Sequence, residues 1–387
     1  MKVLVYFHER YLAPSGGPSG YLYNLKAYRD QIGDGEITFL NPKEFHSSGA
    51  FKVRNRLHHI FGSDRSLPEN AERVAQVFFE SGQKGPYDLN DFDIVHFHST
   101  ADMFTQKKNL EDYKGRVVLT SHTPKAPHRE LIEDVCTPEE YRANKELFDS
   151  AETFDEYAFT RADCVIFPCR EAEEPYFHTW KKYEVLRDEK KILYLPTGAG
   201  KCEPGRSRSE IRSELGIPDE RFVISFVGRH NEVKGYDRLI ALFGKLENVT
   251  VVCCGNKGRI NPPESSDWIE VGWTDDTYSY VNASDLFILP NRETYFDLAL
   301  LETMSLGRSA LISRNGGNKI FEGMEDRGIY TFGSEDEAVR AVQFIKNEDP
   351  AVKREKEAAM KVLFEQEYSM AKFYGSYKKL LGRIGKA

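Results

Sequence analysis

A few residues in this 387-residue chain combine types and spacings that can do chemistry. Glu302 interrupts Leu298, Ala299, Leu300, Leu301, Met304 and Leu306, a stretch apolar almost all round. An ionised carboxylate there is costly unless it meets a cation or the hydroxyls of a ligand. Arg308 or Lys319 would supply the cation of a structural ion pair; a ligand's hydroxyls are the functional counterpart. Arg229 and Lys234, between Gly228 and Gly235 in GRHNEVKG, offer a planar fork and a point charge that together suit a diphosphate. Near the N-terminus, Gly16 and Gly17 precede a helical window from about Gly20, an arrangement that brings backbone N–H groups to a phosphate or simply makes a turn needing positive φ.

These residues must be held by strands and helices. Lys2 to Phe7, Phe92 to His98, Arg116 to His122, Cys164 to Pro168 and Ile192 to Leu195 read as strands of a first parallel sheet. Ligands of open α/β sheets sit beyond the carboxyl ends of strands, so His98 and His122 point toward a site. Thr197 to Arg208, rich in Gly, Ser and charge, reads as a linker. Strands then recur at Phe222 to Val227, Val249 to Cys254, Trp268 to Val271, Leu286 to Leu289 and Ser309 to Ser313. The fold class is therefore α/β with two doubly wound domains, expected at 1–196 and 209–365. A terminal amphipathic helix within 366–387, with Met370, Phe373, Tyr377 and Leu380 on one side, is expected to pack across the domain junction.

Composition narrows the function classes. With 40% hydrophobic and 29% charged residues the chain is globular, and its net charge of -8 with no basic, aromatic-laced stretch argues against a nucleic-acid partner. Six cysteines without metal-ligand spacing suggest free thiols in a reducing compartment, and the apolar run Val3 to Phe7 is too short for a leader or a spanning helix. The expectation is a cytoplasmic protein. The basic and apolar segment Phe51 to Arg65 offers a peripheral contact with the inner face of a membrane, or an ordinary solvated face. Asp91-Phe92-Asp93 has the DxD pattern of metal-dependent sugar transferases but opens a strand, and is taken as coincidence. His96, His98 and His122, with His128, would carry a rival reading as a metal-dependent hydrolase.

GRHNEVKG, LPNRETYFDLALLE, the N-terminal glycine pair and YSMAKFYGSYKKLL resemble glycosyltransferase family 4, the group 1 nucleotide-sugar enzymes with the GT-B fold of two Rossmann-like domains facing a central cleft. The resemblance implies a retaining transferase moving a hexosyl unit from a nucleoside diphosphate sugar, UDP favoured over GDP, to a hydroxyl of a saccharide, lipid-linked or protein acceptor. Assembly of cell-surface polysaccharide or glycoconjugate is the expected setting. It needs no metal and no cofactor, the sugar nucleotide being a co-substrate. The first domain would hold the acceptor and the second the donor.

On this chain the resemblance makes Arg229, Lys234 and His122 the candidate catalytic residues. Arg229 and Lys234 match the diphosphate-binding pair, and His122 lies near the transferred sugar. Gly16 and Gly17 match the loop that closes on the phosphates, and Glu302 matches the second glutamate of an E-x7-E motif, on the ribose. Glu293, Thr294, Tyr295, Phe296, Asp297 and Leu298 complete the candidate binding stretch. The sequence departs from the family at Thr294, where the first glutamate is usual, so that either Thr294 or the adjacent Glu293 takes the donor-sugar contact. Asp297 stands where many members have glycine, and is expected as the helix N-cap. A non-catalytic sugar-nucleotide sensor would keep the same residues without turnover.

Overall fold

The computed structural model describes residues 1–7, 12–14, 17–40, 68–84, 88–133 and 136–386. Segment 51–65 and Gly16 lie outside the described residues. Two six-stranded parallel sheets make up the core of the described chain. The first contains β1 (Val3–Tyr6), β2 (Ile37–Phe39), β3 (Ile94–Phe97), β4 (Arg116–Leu119), β5 (Cys164–Phe167) and β6 (Ile192–Tyr194), in the order β2-β1-β3-β4-β5-β6. The second contains β7 (Phe222–Val227), β8 (Val249–Cys254), β9 (Trp268–Gly272), β10 (Leu286–Leu289), β11 (Ala310–Ser313) and β12 (Ile329–Phe332), ordered β12-β11-β10-β7-β8-β9.

Near-continuous apolar sequence produces these strands because helices cover both faces of a parallel sheet. β8 and β10 are buried at every position. In the second sheet the chain runs outward from β7 through β8 and β9, then returns to the other side of β7 at β10. The order therefore reverses between β7 and β10, and a ligand crevice opens beyond their carboxyl ends. The first sheet reverses between β1 and β3.

The stretch 197–208 is not a loose linker. Thr197, Ala199 and Cys202 are buried, the Ala199 N–H donates to the Tyr368 carbonyl at 2.9 Å, and the Cys202 N–H donates to Ser305 Oγ at 2.9 Å. Polar composition predicted exposure, but the segment is pinned where the chain crosses back. After that return the helix Met370–Ile384 lies on the first domain: Phe373 packs on Tyr21 with ring centroids 5.3 Å apart, and Tyr374 donates to Asp34 at 2.8 Å. Its amphipathic face is the expected one, with Met370, Phe373, Tyr377 and Leu380 buried. All six cysteines are free. Among the described residues no helix is long and apolar enough to cross a membrane.

Candidate functional site

The crevice between β7 and β10 is walled by two loops, 228–235 and 290–297. Gly235 adopts φ 65°, and a Cβ there would come within 2.0 Å of the Pro290 carbonyl oxygen, so only glycine lets the loops approach. Arg229 is exposed on the first loop. Lys234 reaches across to the second, its Nζ 2.9 and 3.0 Å from the two carboxylate oxygens of Asp297. Asn291 donates to the same carboxylate at 2.5 Å, and is itself held through its carbonyl by Ser313 and Asn315. Asp297 thus stands at the N-cap position of the helix Leu298–Leu306 without capping it, because its side chain is turned to Lys234 and Asn291. That helix therefore starts beside the crevice loop without a side-chain cap, and its dipole favours an anion at this end.

Glu302 lies one turn further along. Neither competing cation reaches it: Arg308 pairs with Glu357 at 3.3 Å and Lys319 with Glu174 at 2.7 Å. Its partner is Tyr278, which donates to Glu302 Oε1 at 3.3 Å. Burial pushes the Glu302 carboxyl up to about 7, the tyrosine bond pulls it back, and the Asp297 charge adds to the rise. A carboxylate so placed gains from further hydroxyl donors.

The loop before the helix separates the remaining candidates. Glu293 is half-buried and accepts from His178 of the first domain, Nε2 to Oε1 3.0 Å. Thr294 is 1% exposed, and its hydroxyl has no partner. Tyr295, expected to touch substrate, inserts into the first domain instead, donating to the Ile166 carbonyl at 3.3 Å and packing on Phe167. Phe296 packs between Phe321 and Tyr368, and Leu298 belongs to the core. The side chains of these three are aromatic or aliphatic surface taken up by packing.

On the facing domain, the end of β4 places His122 at φ 60° and 6.3 Å from the Tyr295 ring. Burial lowers its imidazole to about 3, so the ring is neutral. Gly17 opens the helix Gly17–Ile32 at φ 73° with free space where a Cβ would stand. The histidines do not converge on a metal. His96 is bonded at both nitrogens, to Tyr377 at 2.7 Å and Thr120 at 2.9 Å, and His128 is held by Asp155 at 2.7 Å. Among the described residues no group of three metal-ligating side chains is assembled. Asp93 accepts from the Lys2 N–H at 2.7 Å, at the end where the strands begin and away from the crevice.

Sequence reasoning missed Tyr278, Asn291 and His178, whose roles arise only by tertiary contact. It also missed Gly316 and Gly317, visible as a pair: a Cβ at either would stand 2.0 or 1.9 Å from the carbonyl oxygens of Thr294 and Tyr295.

Comparison with known proteins bears on the fold and on the second domain. Residues 207–362 match the family model described as glycosyl transferases group 1. The chain is 27% identical over 159 residues to a D-inositol 3-phosphate glycosyltransferase of Salinispora arenicola, covering 35% of each protein. It is 22% identical over 266 residues to one of Corynebacterium glutamicum, covering 62% of this chain and 60% of the relative. The matches therefore span less than two thirds of these relatives' length. Among solved structures, Anabaena Alr3699/HepE in complex with UDP-glucose aligns with a TM-score of 0.64 at 15% identity, covering 99% of this chain and 100% of that one. Sucrose-phosphate synthase from Thermosynechococcus elongatus aligns with a TM-score of 0.66, also at 15% identity, covering 99% and 98%. Both share the fold. Residues 207–362 thus resemble the group 1 glycosyl transferases, and the chain shares with these structures the GT-B arrangement of two Rossmann-like domains.

Proposed function

We propose that this protein is a retaining glycosyltransferase that moves a hexosyl unit from a nucleoside diphosphate sugar to a hydroxyl acceptor. The observation that carries the reading is Glu302, an inward carboxylate without a cation, one helical turn from the Lys234 loop and the open N-terminus of its own helix. Such a set suits a ribose beside a diphosphate.

Cleavage of the glycosidic bond leaves negative charge on the diphosphate. Arg229, Lys234 and the helix N-terminus meet that charge with fixed positive groups, which accelerates the step where they bind the transition state more tightly than the ground state. No metal is required by this scheme. Retention follows from a front-face reaction in which the leaving phosphate takes the acceptor proton, leaving His122 to orient the sugar. UDP is favoured because a structural neighbour of the same fold is complexed with UDP-glucose. The acceptor occupies the first domain, and a role in polysaccharide or glycoconjugate assembly on the cytoplasmic side is part of the same reading.

A thermal-shift panel of UDP-, GDP-, ADP- and dTDP-sugars tests it. A ligand at 100 times its Kd adds roughly 2.7 kcal/mol of stability. The expected result is a shift with UDP-sugars that Lys234→Ala reduces; no shift with any sugar nucleotide, or an equal shift in the variant, overturns the donor assignment.

A further inference from the structure

His122 and His98 are joined by one hydrogen bond, His98 Nδ1 to His122 Nε2 at 2.7 Å. Both rings are neutral, since burial lowers each. One proton therefore lies between the two nitrogens, and which ring owns it decides what His122 can offer.

The surroundings of His98 decide the matter. It is 1% exposed, and its Nε2 is buried with no protein partner. Were the proton on that nitrogen, a buried N–H would stand without an acceptor, the rarer and more costly kind of orphan. With the proton on Nδ1, His98 donates to His122 and only a lone pair goes unmet. His122 then accepts at Nε2, so its own proton sits on Nδ1, the nitrogen that His98 does not engage.

The geometry points to His98 as the positioning residue that fixes the tautomer of His122, so that His122 presents an N–H donor, and not a base, to the reacting sugar. The rest of the cluster holds the arrangement. His98 packs at a tilt against His96 with ring centroids 4.0 Å apart, and His96 is anchored by Thr120 and by Tyr377 of the terminal helix. Tyr21 sets its ring against His122 at 4.5 Å. His122 itself holds φ 60°, a conformation a non-glycine residue keeps only when its neighbours impose it. A fixed donor suits a sugar hydroxyl or a developing negative charge, and it cannot take the acceptor's proton. That step remains with the leaving phosphate, in line with the proposed reaction on which this role rests.

The test combines 15N-histidine NMR of the intact protein with kinetics of two variants. The wild type is expected to show a protonated Nδ1 and an unprotonated Nε2 at His122. His98→Asn keeps a donor near the Nδ1 position and is expected to retain that pattern and most activity. His98→Leu removes the donor, and is expected to lose the fixed tautomer and about 10–100-fold in kcat, with the donor KM little changed. A proton on His122 Nε2 in the wild type, or equal kcat losses in the Asn and Leu variants, overturns the assignment. If the Leu variant fails to fold, the wild-type tautomer and the Asn variant still decide. The NMR arm needs no turnover, so its failure is distinct from a failure of the glycosyl-transfer reading.

Discussion

Lys234 and Asp297 form an ion pair across the mouth of the β7/β10 crevice, 2.9 Å from nitrogen to oxygen, where the donor diphosphate is proposed to bind. The lysine is thereby held in place, but its charge is already matched. An arriving diphosphate must compete with the carboxylate for Lys234 and tolerate the carboxylate's own repulsion. Asp297→Asn leaves a good N-cap residue and removes both obstacles. It is expected to tighten sugar-nucleotide binding by about tenfold, near 1.4 kcal/mol, whereas Lys234→Ala weakens it by at least as much. Isothermal titration at low salt measures both; weaker binding in Asp297→Asn would show that the pair organises the lysine more than it occupies it.

Glu302 predicts a pH dependence. Its folded carboxyl is pushed up to about 7, above the ordinary carboxylate range. Because the folded value is raised, its contribution to stability is fully present below the unfolded pKa and is lost as pH rises through about 7. The stability of Glu302→Gln relative to wild type should therefore improve from pH 5 to pH 8. Ribose hydroxyls donate to the ionised form, so donor binding to the wild type should release a proton and weaken as pH falls below about 7, by up to about tenfold per unit. Titrations in buffers of different ionisation enthalpy count the proton, and a flat profile in the wild type would contradict the role.

How far the sequence could be read differs from element to element for physical reasons. β7, β8 and β10 are apolar runs buried on both faces, and their bounds match the expected ones at Phe222–Val227, Val249–Cys254 and Leu286–Leu289. β2 and β12 went unseen because ITF and IYTF are short strands at the sheet edges, so their strand state depends on pairing with a single neighbouring strand. Among candidate site residues, Glu302 stood out in the sequence by the misfit between its charge and its apolar setting. The pairing of Asp297 with Lys234 was not, since the two are 63 positions apart and meet only when the β7 and β10 loops are juxtaposed. Tyr295 misled for a similar reason: an aromatic in a site loop looks like a ligand contact, while here it bridges to the other domain.

Glu293 and Thr294 make opposite predictions. Glu293 is half-buried and turned to the facing domain at His178; Thr294 is packed away with an unpartnered hydroxyl. If Glu293 takes the donor-sugar contact, Glu293→Gln should lower kcat on the order of 10² to 10³. Thr294→Val replaces an unsatisfied buried hydroxyl by a methyl of the same shape. It should leave kcat within about threefold and raise stability by about 1 kcal/mol. Steady-state kinetics and denaturant melts of the two variants separate the roles, and the reverse ranking in kcat would return the sugar contact to Thr294.

The two glycine pairs are also distinguishable. Gly17 has positive φ but nothing within 4 Å of where a Cβ would stand, so Gly17→Ala should cost only the local strain, about 1 kcal/mol. Gly317 is different: its N–H donates to the Thr294 carbonyl at 3.1 Å, and a Cβ would stand 1.9 Å from the Tyr295 carbonyl oxygen. Neither atom belongs to a flexible side chain, so the added methyl must move the 293–296 loop itself. Gly317→Ala should destabilise the protein by about 2 kcal/mol or more and, by shifting Glu293 and Tyr295, lower kcat more than it alters nucleotide affinity, because Glu302 and Lys234 lie on other supports. Melting curves together with UDP binding and turnover check this; normal turnover in the Gly317→Ala variant would mean that the loop does not position the reacting sugar.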